Sequence, residues 1–139
     1  MAETGLQDEL FVVLIPEGDF LKSVINIQRA ISDLYDSFED DIYPQLHITI
    51  DRINKNCVKK AGKIVGKIVQ EMPPVKIALD EYSCFYLDND RKLVLKVAPT
   101  ESLTILARRI HEKLEQAGIS TVNNFENWVF HISVVGGIL

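Results

Sequence analysis

At 139 residues, 47% hydrophobic and 25% charged, the chain has the size and composition of one globular domain that buries its own core without staples. A net charge of −5 and a pI near 5.2 exclude a protein that grips long nucleic acid through its phosphates, which needs a broad basic surface. A small substrate or an RNA end needs only a local positive patch.

Residues 10–15 are a short apolar run closed by Pro16 and Gly18 and read as a buried strand. Phe20, Leu21, Val24, Ile27, Ile31 and Leu34 recur at helical spacing and predict an amphipathic helix to about Tyr35. A solvated acidic turn, Glu39-Asp40-Asp41, and then Pro44 separate it from a second strand over 46–50. Val58, Ala61, Ile64, Val65, Ile68 and Val69 mark a second helix, stopped by Pro73-Pro74. A strand is expected over 75–79, then a hairpin of 84–87 with 93–97 around Asp88-Asn89-Asp90. The third helix runs from Thr100, as N-cap, to Ala117, with Gly118 as its stop. After a turn at Asn123-Asn124 the last strand spans 129–135, before Gly136-Gly137.

No apolar run approaches the ~18 residues of a membrane span. Met1-Ala2-Glu3-Thr4 has neither the basic nor the apolar region of a secretory leader. Cys57 and Cys84 belong to no CxxC pair, so the expectation is a cytoplasmic protein with two reduced thiols.

The order of elements gives an α+β class, and it repeats. His47 lies 32 residues beyond the strand ending at Ile15, and His131 lies 34 residues beyond the strand ending at Val97. A helix intervenes each time, so strand, helix and histidine-bearing strand occur twice, which predicts two related lobes within one domain spanning 1–139. Two of the chain's three histidines open tetrapeptides of one pattern, His47-Ile48-Thr49-Ile50 and His131-Ile132-Ser133-Val134. Side chains alternate faces along a strand, so each motif sends its apolar pair into a core and presents an imidazole beside a hydroxyl.

Such a set suits phosphoryl chemistry. A base must take a proton from the attacking oxygen, and an acid must give one to the leaving oxygen. Imidazole, with a pKa near 6.5, fills either role near neutrality. The hydroxyls of Thr49 and Ser133 can hydrogen-bond the non-bridging oxygens of the phosphate. The chemistry calls for neither metal nor cofactor.

The paired His-x-Thr/Ser-x motifs, about eighty residues apart, resemble those of the two-histidine (2H) phosphoesterase superfamily, in its 2′-5′ RNA ligase-like (LigT-like) and RNA 2′,3′-cyclic phosphodiesterase branch. The opening residues 10–16 and the helix containing Ile27-Gln28 are similar to the start of ligase-like members. The resemblance implies a bilobal, pseudo-twofold α+β fold, with two antiparallel sheets lining a central cleft and helices packed outside. It also implies hydrolysis of a 2′,3′-cyclic phosphate, on an RNA end or a small nucleotide, to a 2′-phosphomonoester. His131 would activate water, His47 would protonate the leaving 3′-oxygen, and Thr49 and Ser133 would bind the phosphate. Phe130 stands where ligase-like members often carry a proline, and Val135-Gly136-Gly137 where they often carry an arginine. The partner expected is thus an RNA terminus or small cyclic nucleotide, met by a monomer; no membrane and no long duplex is involved. The alternative is a non-catalytic module that binds a 2′-phosphate or RNA end.

Other residues invite plainer readings. His111, within Arg108-Arg109-Ile110-His111-Glu112-Lys113, reads as part of a solvated helix face. Arg52 shares the strand face of Ile50 if the strand stays regular, a weak phosphate candidate. Tyr43, Tyr82, Tyr86 and Trp128 could stack a base but read as core or rim. A zinc site would need three or four convergent ligands. Nothing singles out either cysteine as a reactive thiol.

Overall fold

The computed structural model describes residues 9–35, 45–80, 85–87 and 93–135. The expectations for Glu39–Asp41, Tyr43, Tyr82, Cys84, Asp88–Asp90 and Gly136-Gly137 lie outside those residues. The architecture is mixed α+β, with three helices and two small sheets among the described residues. The strands are β1 (Glu9–Leu14), β2 (Ile48–Asn54), β3 (Phe85–Leu87), β4 (Leu93–Lys96) and β5 (His131–Val135); the helices are α1 (Gly18–Tyr35), α2 (Val58–Glu71) and α3 (Glu101–Gln116). None of the described helices is long and apolar enough to cross a membrane.

The chain divides into two compact units, each drawn from both halves of the sequence: 1–13, 49–76 and 99–128 in the first, 14–48, 77–98 and 129–139 in the second. In the first unit β1 and β2 form a two-stranded sheet, and α2 packs on α3. Beyond the sheet, β2 is continued by the segment after α3: Ile53 bridges Ser120, and Thr121 N–H donates to the Arg52 carbonyl at 2.9 Å. The buried stripe of α3 is Leu103, Leu106, Ala107, Ile110, His111 and Leu114, one face at three- and four-residue spacing. Thr100 caps this helix by accepting the Leu103 N–H at 3.3 Å. At its other end Gly118 takes φ +71°, and Ile119 N–H returns to the Leu114 carbonyl at 2.8 Å. That left-handed residue is the stop expected of a glycine just past a helix.

The second unit holds the antiparallel sheet β3-β4-β5, with Phe85 opposite Leu95 and Lys96 opposite His131. Helix α1 packs on β5, burying Val24 and Gln28. Consecutive residues Val94 and Leu95 are both buried, so β4 is covered on both faces.

Three expectations need correction. The apolar run at the start is a strand, but Leu10, Phe11 and Val13 are 42%, 47% and 39% exposed, so it is not the buried strand expected. Residues 75–79 form no strand. Leu79 makes one isolated bridge to Val97, while the Lys76 backbone is taken up by two α3 hydroxyls: Ser102 Oγ accepts its N–H at 2.8 Å, and Thr100 Oγ1 donates to its carbonyl at 2.6 Å. The second strand begins at Ile48, so His47 immediately precedes it.

Candidate active site

The two motifs are presented alike. Ile48 and Ile50 are buried while His47 and Thr49 are half-buried; Ile132 and Val134 are buried while His131 and Ser133 are half-buried. Each apolar pair thus enters a core and leaves its imidazole and hydroxyl accessible, as strand alternation requires. His47, His131 and Ser133 belong to the second unit, and Thr49 opens a segment of the first. Neither motif hydroxyl hydrogen-bonds another described residue.

Each imidazole is oriented by its own backbone, two residues upstream. His47 Nδ1 lies 2.9 Å from the Gln45 carbonyl oxygen, and His131 Nδ1 lies 3.1 Å from that of Val129. A carbonyl only accepts, so Nδ1 carries the proton in both rings, and the tautomer follows from the partner. The neutral ring then offers a lone pair at Nε2, and the protonated ring offers Nε2–H. Neither Nε2 has a partner among the described residues.

The strands that carry the motifs are each pinned by a distant side chain. Gln28 Nε2 donates to the Val134 carbonyl at 3.0 Å, and Trp128 Nε1 donates to the Thr49 carbonyl at 3.0 Å. The sequence signal for Gln28 is its place four residues after Val24, a polar residue on the inward face of an amphipathic helix. Arg52 departs from the expected face. Ile50 and Asp51 are both buried, which interrupts the alternation, and Arg52 is half-buried. Its Nη1 sits 3.8 Å from Glu9 Oε2, and its guanidinium lies 5.4 Å from the Trp128 ring centre.

His111 is not solvated. It is 6% exposed, with Nδ1 3.0 Å from Asp51 Oδ2 and Nε2 3.0 Å from Glu115 Oε2. Asp51 is 0% exposed, and its Oδ1 accepts from Ser120 Oγ at 2.9 Å and from the Arg52 N–H at 2.8 Å. Phe125 stacks on the imidazole at 4.3 Å between ring centres. The seryl hydroxyl and the aspartate meet the same ring nitrogen, Ser120 Oγ at 3.3 Å, so the group lacks the relay order of a nucleophilic triad. It is a buried hydrogen-bonded tie between α3 and β2. Sequence reading followed the charges around His111 and missed its alignment with Ala107 and Leu114 on the buried stripe.

Among the described residues no three His, Cys, Asp or Glu side chains are grouped to hold a metal ion. Two cavities formed by described residues of the first unit are not lined by a motif histidine. One of about 510 Å³ includes Lys76, Thr100, Ser102 and Arg109; one of about 320 Å³ includes Arg108, His111, Glu115 and Phe125. Cys57, half-buried, is a free thiol. No protein-family model, no curated protein and no solved structure matches the chain.

Proposed function

We propose that the chain is a metal-independent phosphodiesterase, 2′-5′ RNA ligase-like, that opens a 2′,3′-cyclic phosphate to a 2′-phosphomonoester with His47 and His131. The scaffold in this reading is bilobal and pseudo-twofold. The observation that supports it most is the shared orientation of the two rings: each is tied at Nδ1 to a backbone carbonyl two residues upstream, with Nε2 left for chemistry. A structural histidine gains nothing from a half-buried ring with one nitrogen unpartnered, whereas an acid or base requires one.

One imidazole accepts a proton from water as the water oxygen attacks phosphorus. The bond from phosphorus to O3′ breaks, and Nε2–H of the other imidazole protonates O3′, leaving the phosphate on O2′. The family resemblance gives His131 the water and His47 the leaving oxygen. The hydroxyls of Thr49 and Ser133 donate to the non-bridging oxygens, where charge accumulates in the transition state.

The test is turnover of a 2′,3′-cyclic mononucleotide. His47→Ala and His131→Ala should each lower kcat by roughly 10²–10⁴-fold, the range of a placed acid or base. EDTA should leave the rate unchanged, and the pH profile should be bell-shaped. Activity that survives both substitutions sinks the reading. Tight binding of 2′-AMP with no turnover of any cyclic or 2′-5′ substrate would instead leave a binding module.

A further inference from the structure

We infer that Trp128 is a positioning residue of this site, acting through the backbone of the first motif, an inference that rests on the proposed phosphodiester chemistry. Two observations converge on its indole. Nε1–H donates to the Thr49 carbonyl at 3.0 Å, so the main chain of the phosphate-binding threonine is held by a side chain from far along the sequence. The ring face carries the Arg52 guanidinium at 5.4 Å, and Arg52 Nη1 in turn faces Glu9 Oε2 at 3.8 Å, with that carboxylate side chain only 10% exposed. The indole is therefore fixed at its edge and on its face, which leaves it few rotamers.

One side chain thus bears on the first motif, through a hydrogen bond on the Thr49 backbone. Displacements well under 1 Å at a phosphoryl centre are costly, because acid, base and hydroxyls must meet one geometry. Trp128 touches no reacting atom in this scheme, so its loss should lower kcat and leave KM nearly unchanged.

The experiment compares wild type, W128F and W128H in steady-state turnover of 2′,3′-cyclic AMP, with thermal midpoints measured beside it. Phenylalanine keeps an aromatic face and deletes the N–H. Histidine, with its ring turned over, puts Nε2–H at the ring position of the indole nitrogen. W128F should lose about tenfold in kcat with KM within about twofold, and W128H should recover most of that loss. Equal rates in W128F and wild type overturn the inference and leave the paired-histidine reading intact. Equal losses in W128F and W128H also overturn it, since packing rather than the hydrogen bond would then be at work. Should W128F fail to fold, W128H decides alone: a rate within about threefold of wild type supports the bond, and a loss of tenfold or more in a variant of unchanged thermal midpoint overturns it. A wild type that turns over no cyclic nucleotide overturns both.

Discussion

The three histidines fall into two environments. His47 and His131 are half-buried, each spends one nitrogen on a carbonyl two residues away, and each keeps the other nitrogen unpartnered among the described residues. His111 is buried, and both of its nitrogens are consumed by carboxylates, one of them 60 residues away in sequence. A ring oriented by local backbone keeps its second nitrogen clear of the described residues. A ring clamped between Asp51 and Glu115 has both nitrogens committed to contacts of the fold. The same side chain is thus left open at one nitrogen in one place and tied at both in the other, and partner geometry, more than residue type, makes the difference.

Substitution can break that contrast directly. His47→Ala and His131→Ala should remove roughly 10²–10⁴-fold of the turnover while shifting the thermal midpoint little, since each ring contributes one exposed hydrogen bond. His111→Ala and Asp51→Ala should do the reverse. Each leaves a buried polar group short of one hydrogen-bond partner, at a cost of about 1–3 kcal/mol. Denaturant melts read the stability, and assays well below the midpoint should show activity retained in whatever fraction stays folded. A catalytic collapse in a folded His111→Ala protein, or a large stability loss in His131→Ala, would erase the distinction.

The two environments were unequally legible in the sequence. The motifs announce themselves because a strand's two-residue period makes exposure local: His47, Thr49, His131 and Ser133 stand on the accessible face as the alternation requires. The helices were also readable, and α3 runs between the expected Thr100 cap and the Gly118 stop because both signals are local. What the pattern could not supply was pairing over distance. Nothing near His111 names Asp51, and the charges of Arg108, Arg109, Glu112 and Lys113 disguise the one polar residue on the inward stripe. Residues 75–79 carry strand-like composition but lose their ladder because Thr100 and Ser102 take the Lys76 backbone. The exposure of Leu10, Phe11 and Val13 likewise depends on what packs over the faces of β1, which an apolar run does not specify.

Gln28 offers a finer test, since it holds the second motif's strand as Trp128 holds the first. Gln28→Leu keeps the volume roughly constant and strands the Val134 carbonyl in the core. An unsatisfied buried acceptor costs about 1–3 kcal/mol, so a loss of that size is expected in chemical denaturation. Activity should fall as well, but less than in either histidine variant, because Val134 sits three residues along β5 from His131. A variant as stable as wild type would show that the bond is dispensable.

The smallest expected effect lies on the rim of the His111 tie. Arg108 pairs with both carboxylate oxygens of Glu126, at 3.0 and 3.4 Å, and its guanidinium lies 5.9 Å from the ring of Phe125, the ring that stacks on His111. The hydrogen bond from Arg108, and after it the guanidinium charge, hold the Glu126 carboxyl below its usual range. A carboxyl depressed in the folded state stabilises the fold at pH above its unfolded value and loses that contribution as pH falls through the folded one. Wild type should therefore melt slightly above Arg108→Ala at neutral pH, and the gap should close on acidification below the ordinary carboxylate range. Both side chains are exposed, so 1 M salt should shrink the gap too. A difference that survives both acid and salt would have to come from Arg108 packing on Phe125, and the aromatic stack, not the ion pair, would then be what the arginine protects around His111.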